Sequence, residues 1–202
     1  ATLYPCDVME RNESLNLKEF IINEKITIWH SVPSLFNFFL STLKEPVIGS
    51  SLKYILLGGE AIRNHEVILS NKLLNGIPLV SIYGQTESSV NSVSFLNGRD
   101  KVTLGKVLDN TKIFLINENN EFVDPLSVGE IIIASDYISP GYWNVNDETN
   151  SPFINSPIIG RAYKTGDIGR LLINGEIEFL GRKDNQVKIR GFRIELGEIG
   201  SN

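Results

Sequence analysis

An amide, a hydroxyl and a carboxylate stand side by side at Gln85, Thr86 and Glu87, directly behind the apolar run "IPLVSIYG". A carboxylate so placed is a hard oxygen ligand of the kind Mg²⁺ takes one or two of, with water and phosphate completing its shell. Gly84 lets backbone approach a ligand closely, and Tyr83 offers a flat face to a base or ring. A second run, "YILLGGEA", ends alike in Gly58, Gly59 and Glu60. Further on, "RAYKTGDIGR" sets Asp167 behind a glycine, and "FLGRKD" sets Arg182 and Asp184 behind another. An aspartate can accept from both hydroxyls of a ribose, and an arginine can bridge hydroxyl and phosphate. Each feature alone has an ordinary explanation: a tight turn, a core-edge tyrosine, an acid in the first turn of a helix, a surface charge. Together they point to a ligand of nucleotide size.

The elements that must position these groups come in two rhythms. Up to about residue 101, short apolar runs alternate with helical patterns. "LNLKEFIINEK" spaces Leu17, Phe20 and Ile21 for a helix, "ITIWHSV" reads as a strand, and Pro33 can open the helix "SLFNFFLSTL" at its first turn. "LKYILLGG" and "IPLVSIYG" are strands, and "NHEVILSNKLLN" between them is helical with Asn64 as its expected cap. Strands alternating with helices predict an α/β fold, a mostly parallel sheet with flanking helices. Ligands of open α/β sheets sit beyond the carboxyl ends of the strands, where the two glycine-bearing tips fall. From residue 102 to about 181 the runs "KIFLIN", "GEIIIAS", "IGRLLIN" and "EIEFLGR" are short strands between Asn, Gly, Asp and Pro. They predict a small antiparallel β lobe. The last stretch reads as two short strands around Arg190-Gly191, a C-terminal stub.

Composition narrows the classes. With 202 residues the chain is one large or two small domains at roughly 150 residues each, and 42% apolar residues can bury a core. A net charge of -5 without a basic block disfavours nucleic acid as a partner. Cys6 is the one cysteine and His30 and His65 are far apart, so neither an internal disulfide nor a cysteine-rich metal site is expected. No apolar run approaches the ~20 residues of a membrane span. The start "ATLYPCD" shows neither a signal region nor an initiator Met, so the chain reads as cytoplasmic and as a piece of something longer.

Several stretches carry a family resemblance. "GRKDNQVKIRGFRIELGEI" (181–199), "YKTGD" (163–167), "GEIIIASDYISPGYWN" (129–144), "YGQTE" (83–87) and "GGEAI" (58–62) follow one another as in the adenylation domains of nonribosomal peptide synthetases. The sequence resembles that branch of the adenylate-forming superfamily along essentially its whole length. The resemblance implies ATP and Mg²⁺ as cofactors. The carboxylate of an amino acid or other carboxylic acid attacks the α-phosphate of ATP, giving an acyl-adenylate and pyrophosphate. The acyl group then passes to the phosphopantetheine thiol of a peptidyl carrier protein. It also implies roles. Glu87 would be the Mg²⁺-site acid and Thr86 the donor to the α-phosphate. Tyr83 would lie along adenine, with Gly58, Gly59, Glu60, Ser81 and Gly84 around the nucleoside. Asp167 and Arg182 would hold the ribose. Asp184 would be the hinge, with residues 182–202 the start of a small C-terminal subdomain. Lys188, Arg190 and Gly191 would belong to a loop serving thioester formation. His30, Ile55, Leu57, Ile82, Val90 and Asn91 would line the acyl pocket. The sequence departs from the family at Ser81 and Gln85, where Asn and Pro are frequent. The family's glycine-rich phosphate loop, its α-amino-binding aspartate and its catalytic lysine have no counterpart here. The expectation is therefore a stretch of an AMP-forming ligase that is inactive by itself. An acyl- or aryl-CoA ligase of the same superfamily, or a binding module without catalysis, are the alternatives.

Overall fold

The computed structural model describes residues 2–6, 17–47, 50–96, 101–144, 151–184, 186–189 and 192–195. Arg190 and Gly191 lie outside them.

The first layer is a five-stranded sheet in the order β1-β2-β3-β4-β5. Its strands are β1 (Ile28–Ser31), β2 (Tyr54–Gly58), β3 (Leu79–Gln85), β4 (Ser89–Phe95) and β5 (Lys106–Val107). β1, β2 and β3 are parallel. β4 and β5 return antiparallel, so the parallel pattern stops where no helix intervenes between strands. β5 lies beyond the change of rhythm at 102, yet it pairs with this first sheet.

Helices α1 (Leu17–Asn23), α2 (Pro33–Thr42) and α3 (Asn64–Leu73) supply the apolar cover. Pro33 opens α2, as its fixed φ and missing N–H allow. Phe36, Phe39 and Leu40 are the buried face of α2 and join Ile55, Leu57 and Leu79 in one core, with Trp29 packed edge-on against both phenylalanines. α3 starts one position earlier than expected: Arg63, not Asn64, is the cap, and Glu66 Oε2 accepts its backbone N–H at 3.0 Å. The reach of a first-turn glutamate back to the cap makes the asparagine unnecessary there.

The second layer is antiparallel, in the order β10-β9-β7-β6, with β8 also on β9. Its strands are β6 (Thr111–Ile116), β7 (Val128–Ser135), β8 (Phe153–Ser156), β9 (Gly160–Leu171) and β10 (Ile177–Arg182). Ile131, Ile132 and Ile133 of β7 are all fully buried. Ile131 and Ile133 pack with Tyr163 and Ile177, while Ile132 and Ala134 pack with Ile116 and Ala162. Burial on both faces explains why this strand is an unbroken apolar run rather than an alternating one. A final antiparallel hairpin joins β11 (Gln186–Ile189) to β12 (Phe192–Glu195). No helix among the described residues is long and apolar enough to cross a membrane.

Candidate nucleotide site

The tip of β3 is shaped by Gly84. The pairing of β3 with β4 slips between Tyr83 and Gly84. A Cβ on Gly84 would overlap the carbonyl oxygen of Ser89, so only glycine fits the crossing. Thr86 to Ser88 then turn back, closed by Ser88 N–H on Gln85 O at 3.0 Å. Asn91 braces the turn from inside, with Nδ2 donating to Ser88 Oγ (2.8 Å) and Ser89 O (3.0 Å).

That turn buries Glu87, which is 5% exposed. Its Oε1 accepts from Tyr142 Oη at 2.7 Å and from Arg193 Nη1 at 2.5 Å. Its Oε2 is buried with no hydrogen-bond partner among the described residues. Burial alone would raise the Glu87 pKa, but the bonds from Tyr142 and Arg193 outweigh it and hold the carboxyl below the ordinary 4.5. The loop bearing Tyr142 is itself fixed: Ser139 N–H donates to Glu87 O at 2.8 Å, and Arg161 Nη2 to Ser139 O at 2.7 Å.

A second centre forms on Asp167, 4% exposed in β9. Oδ2 accepts from Tyr83 Oη (2.7 Å) and Gln85 Nε2 (2.8 Å), and Oδ1 from Arg182 Nη1 (2.9 Å). Buried carboxylates persist only when so paired. Burial, reinforced by the Asp167 charge, pushes the Tyr83 phenol well above its usual range, which keeps it a neutral donor. Arg182 is gripped from two more sides. Nη1 also donates to Thr165 O (2.7 Å), and Nε and Nη2 fork onto Asp184 Oδ1 (2.9 Å) and Oδ2 (2.5 Å). Gly166, at φ +71°, makes room for this fork, since a Cβ there would press on Arg182 Nη2. The Arg182 bond in turn holds the Asp184 carboxyl below its usual value.

Two adjoining cavities lie between these centres. One, of about 450 Å³, is lined by His30, Gly59, Ile82, Thr86, Glu87, Val90, Lys188 and Arg193. The other, of about 370 Å³, is lined by Gly59, Glu60, Ser81, Tyr83, Asp167, Phe179, Arg182 and Lys188. Gly58 faces the first and Gly84 faces both. Lys188 is exposed as a residue, yet the chain around its ammonium desolvates it enough to lower its pKa.

The structure thus gathers most of the expected site residues, with three exceptions among the acyl-pocket set. Ile55 and Leu57 are fully buried in the core with Phe36 and line neither cavity, because that face of β2 carries the helices. Asn91 is fully buried as a brace for the turn. Glu60 faces the second cavity but is engaged by α2, accepting from Ser34 N–H (2.8 Å) and Oγ (3.1 Å). Sequence reasoning assigned no role to Tyr142 or Arg193, because each meets Glu87 only through long-range folding, 55 and 106 positions away. Gln85 replaces a frequent proline, and its amide does what a proline could not, donating to Asp167.

The orphaned Oε2 of Glu87 fits a metal, since a buried acceptor without a donor asks for a cation. No group of three or more His, Cys, Asp or Glu gathers among the described residues. A one-carboxylate site suits Mg²⁺, which keeps waters and substrate phosphates for the rest of its shell.

The sequence and the fold match a known class. The family model of the AMP-binding enzymes matches residues 2–143, and the chain belongs to that family. It is 37% identical over 205 residues to tyrocidine synthase 3 of Brevibacillus parabrevis, covering 100% of this chain and 3% of that protein. It is 34% identical over 195 residues to bacitracin synthase 1 of Bacillus licheniformis, covering 94% of this chain and 4% of that one. Among solved structures it superposes on PA1221, a nonribosomal peptide synthetase protein containing adenylation and PCP domains. The TM-score is 0.80 and the identity 28%, covering 91% of this chain and 38% of that one. The chain therefore spans a small part of these curated relatives and under half of that solved structure.

Proposed function

We propose that these residues form the nucleotide-facing part of an amino-acid-adenylating domain, within a larger AMP-forming ligase. The observation that supports it is convergence: Tyr83, Asp167 and Arg182 line one cavity, Glu87 and Thr86 the adjoining one, and Gly59 and Gly84 border both. ATP fits this division, with the nucleoside beside Tyr83, Ser81 and Asp167 and the leading phosphates toward Thr86 and Glu87. Glu87 would hold Mg²⁺, which would supply positive charge against the repulsion between a substrate carboxylate and the α-phosphate. The substrate carboxylate oxygen then bonds to the α-phosphorus as the bond to pyrophosphate breaks, leaving an acyl-adenylate. His30, Ile82 and Val90 border the same cavity and would face the acyl side chain.

PA1221 is described as containing adenylation and PCP domains. By analogy, the acyl group here would pass to a phosphopantetheine thiol on a peptidyl carrier protein. Lys188, which lies on β11 and lines both cavities, and Gly191, outside the described residues, would serve that step. Asp184, clamped to Arg182, would be the hinge between a β-rich subdomain ending near 181 and the following part. The α/β subdomain would run to about 101. The isolated chain would be inactive, since it supplies one portion of the site.

The test is substrate-dependent pyrophosphate–ATP exchange by the full-length protein, with amino acids compared against fatty and aryl acids, followed by thioester formation on holo carrier protein or on free CoA. Exchange with amino acids and loading of the carrier are expected. Exchange with fatty or aryl acids and acylation of free CoA would assign the chain to the CoA ligases, and no exchange at all would leave a binding module.

A further inference from the structure

Asp167 has fewer acceptor positions left for a ligand than an aspartate ordinarily brings. An ionised carboxylate offers about four lone pairs, two on each oxygen. Among the described residues, three donors already occupy them. Oδ2 accepts from Tyr83 Oη at 2.7 Å and from Gln85 Nε2 at 2.8 Å, which fills it. Oδ1 accepts from Arg182 Nη1 at 2.9 Å and keeps one lone pair. An aspartate that accepts from both hydroxyls of a ribose needs two open positions, and here one remains.

Gln85 makes the difference. Its amide has one allowed direction, because a carboxylate only accepts, so the NH₂ end must face Asp167. The other end, Oε1, is buried with no hydrogen-bond partner among the described residues. The amide is therefore held by Asp167 and by nothing on its carbonyl side. The proline frequent in the family at this position has no side-chain donor and would leave a second lone pair open, on Oδ2. We propose that Gln85 sets the sugar selectivity of the site: by filling Oδ2 it leaves Asp167 able to read one ribose hydroxyl, so that the site accepts a deoxynucleotide lacking the other. The inference rests on the reading of Asp167 as the ribose acceptor. The hydroxyl that meets Oδ1 makes a charge-assisted hydrogen bond to a carboxylate that is 4% exposed. The second hydroxyl finds no acceptor on Asp167 and adds little to affinity.

The experiment titrates the full-length protein with ATP, 2′-deoxy-ATP and 3′-deoxy-ATP by calorimetry, with Mg²⁺ present. In wild type, one deoxy analogue is expected to bind about ten- to hundredfold more weakly than ATP, the scale of one hydrogen bond to a charged group. The other is expected to bind within about threefold of ATP. Q85M keeps the length of the side chain and removes the donor. It is expected to make the tolerated analogue about fivefold or more weaker relative to ATP, because the opened Oδ2 lone pair takes the second hydroxyl. Y83F removes the other donor to Oδ2, tests the same lone pair independently, and is expected to shift the ratio in the same direction. The ratio of analogue to ATP is the readout, since damage to the fold weakens all the nucleotides alike. Two analogues that are both about tenfold weaker in wild type, or ratios that stay unchanged in the variants, overturn the role of Gln85 and leave the ribose reading standing. Two analogues that both match ATP in wild type overturn the ribose reading and the inference together.

Discussion

Tyr83, at the tip of the first sheet, donates its phenolic hydrogen to Asp167, in the heart of the second, at 2.7 Å and across 84 positions of sequence. This bond and its neighbour from Gln85 tie the parallel strand's end to the β lobe where the two cavities open. Tyr83→Phe removes one of three donors to a buried carboxylate. A loss of about 1–3 kcal/mol is expected in urea unfolding of the chain, with nucleotide affinity falling in the full-length protein. An unchanged midpoint would show that the lobes are joined by other contacts.

Glu87→Gln keeps the shape and removes the charge. In the full-length protein, substrate-dependent pyrophosphate exchange should fall by about 10²-fold or more, the scale seen when one preorganised electrostatic group is lost. Circular dichroism should stay as in wild type. Exchange at the wild-type rate would remove Glu87 from the metal site.

Arg182 uses a planar fork: one edge meets Asp184, and Nη1 meets Thr165 O and Asp167. Lysine has the charge without the fork. Arg182→Lys is therefore expected to weaken ATP binding by about tenfold, an effect of one to two charge-assisted hydrogen bonds, read by titration calorimetry on the full-length protein. An affinity equal to wild type would mean that charge alone suffices there.

The Glu87–Arg193 contact should depend on acid. Burial raises the Glu87 pKa, the bonds from Tyr142 and Arg193 more than offset that rise, and the folded value lies below the ordinary 4.5. A depressed carboxyl contributes fully above its unfolded value, and the contribution disappears as the pH falls through the folded one. Hairpin protection against hydrogen exchange, measured without metal, should hold from neutrality to about pH 4.5 and then fall, with salt lowering it as well. Protection that persists in acid, well below that range, would show that apolar contacts dock the hairpin instead.

Much of this was legible before any coordinates. Periodicity located β2, β3 and α2, because strands and helices bury faces of fixed period. The strand ends "LLGGE" and "YGQTE" stood out as glycine followed by an acid at a strand tip, and the folded chain sets both beside the cavities. The motif "YKTGD" marked Asp167 as a residue of interest, although its partners were not readable.

Other features needed the folded chain. The sequence could not show that β4 and β5 turn antiparallel, since strand direction depends on which neighbour a strand finds. It placed Ile55 and Leu57 in a pocket, but which face of β2 carries helices is decided by packing, and that face is core. Above all, it could not show Tyr142 and Arg193 meeting on one oxygen of Glu87. Local spacing encodes the residues of a site. Their partnership is set where two loops and a strand from three parts of the chain converge, and no neighbourhood in sequence records that distance.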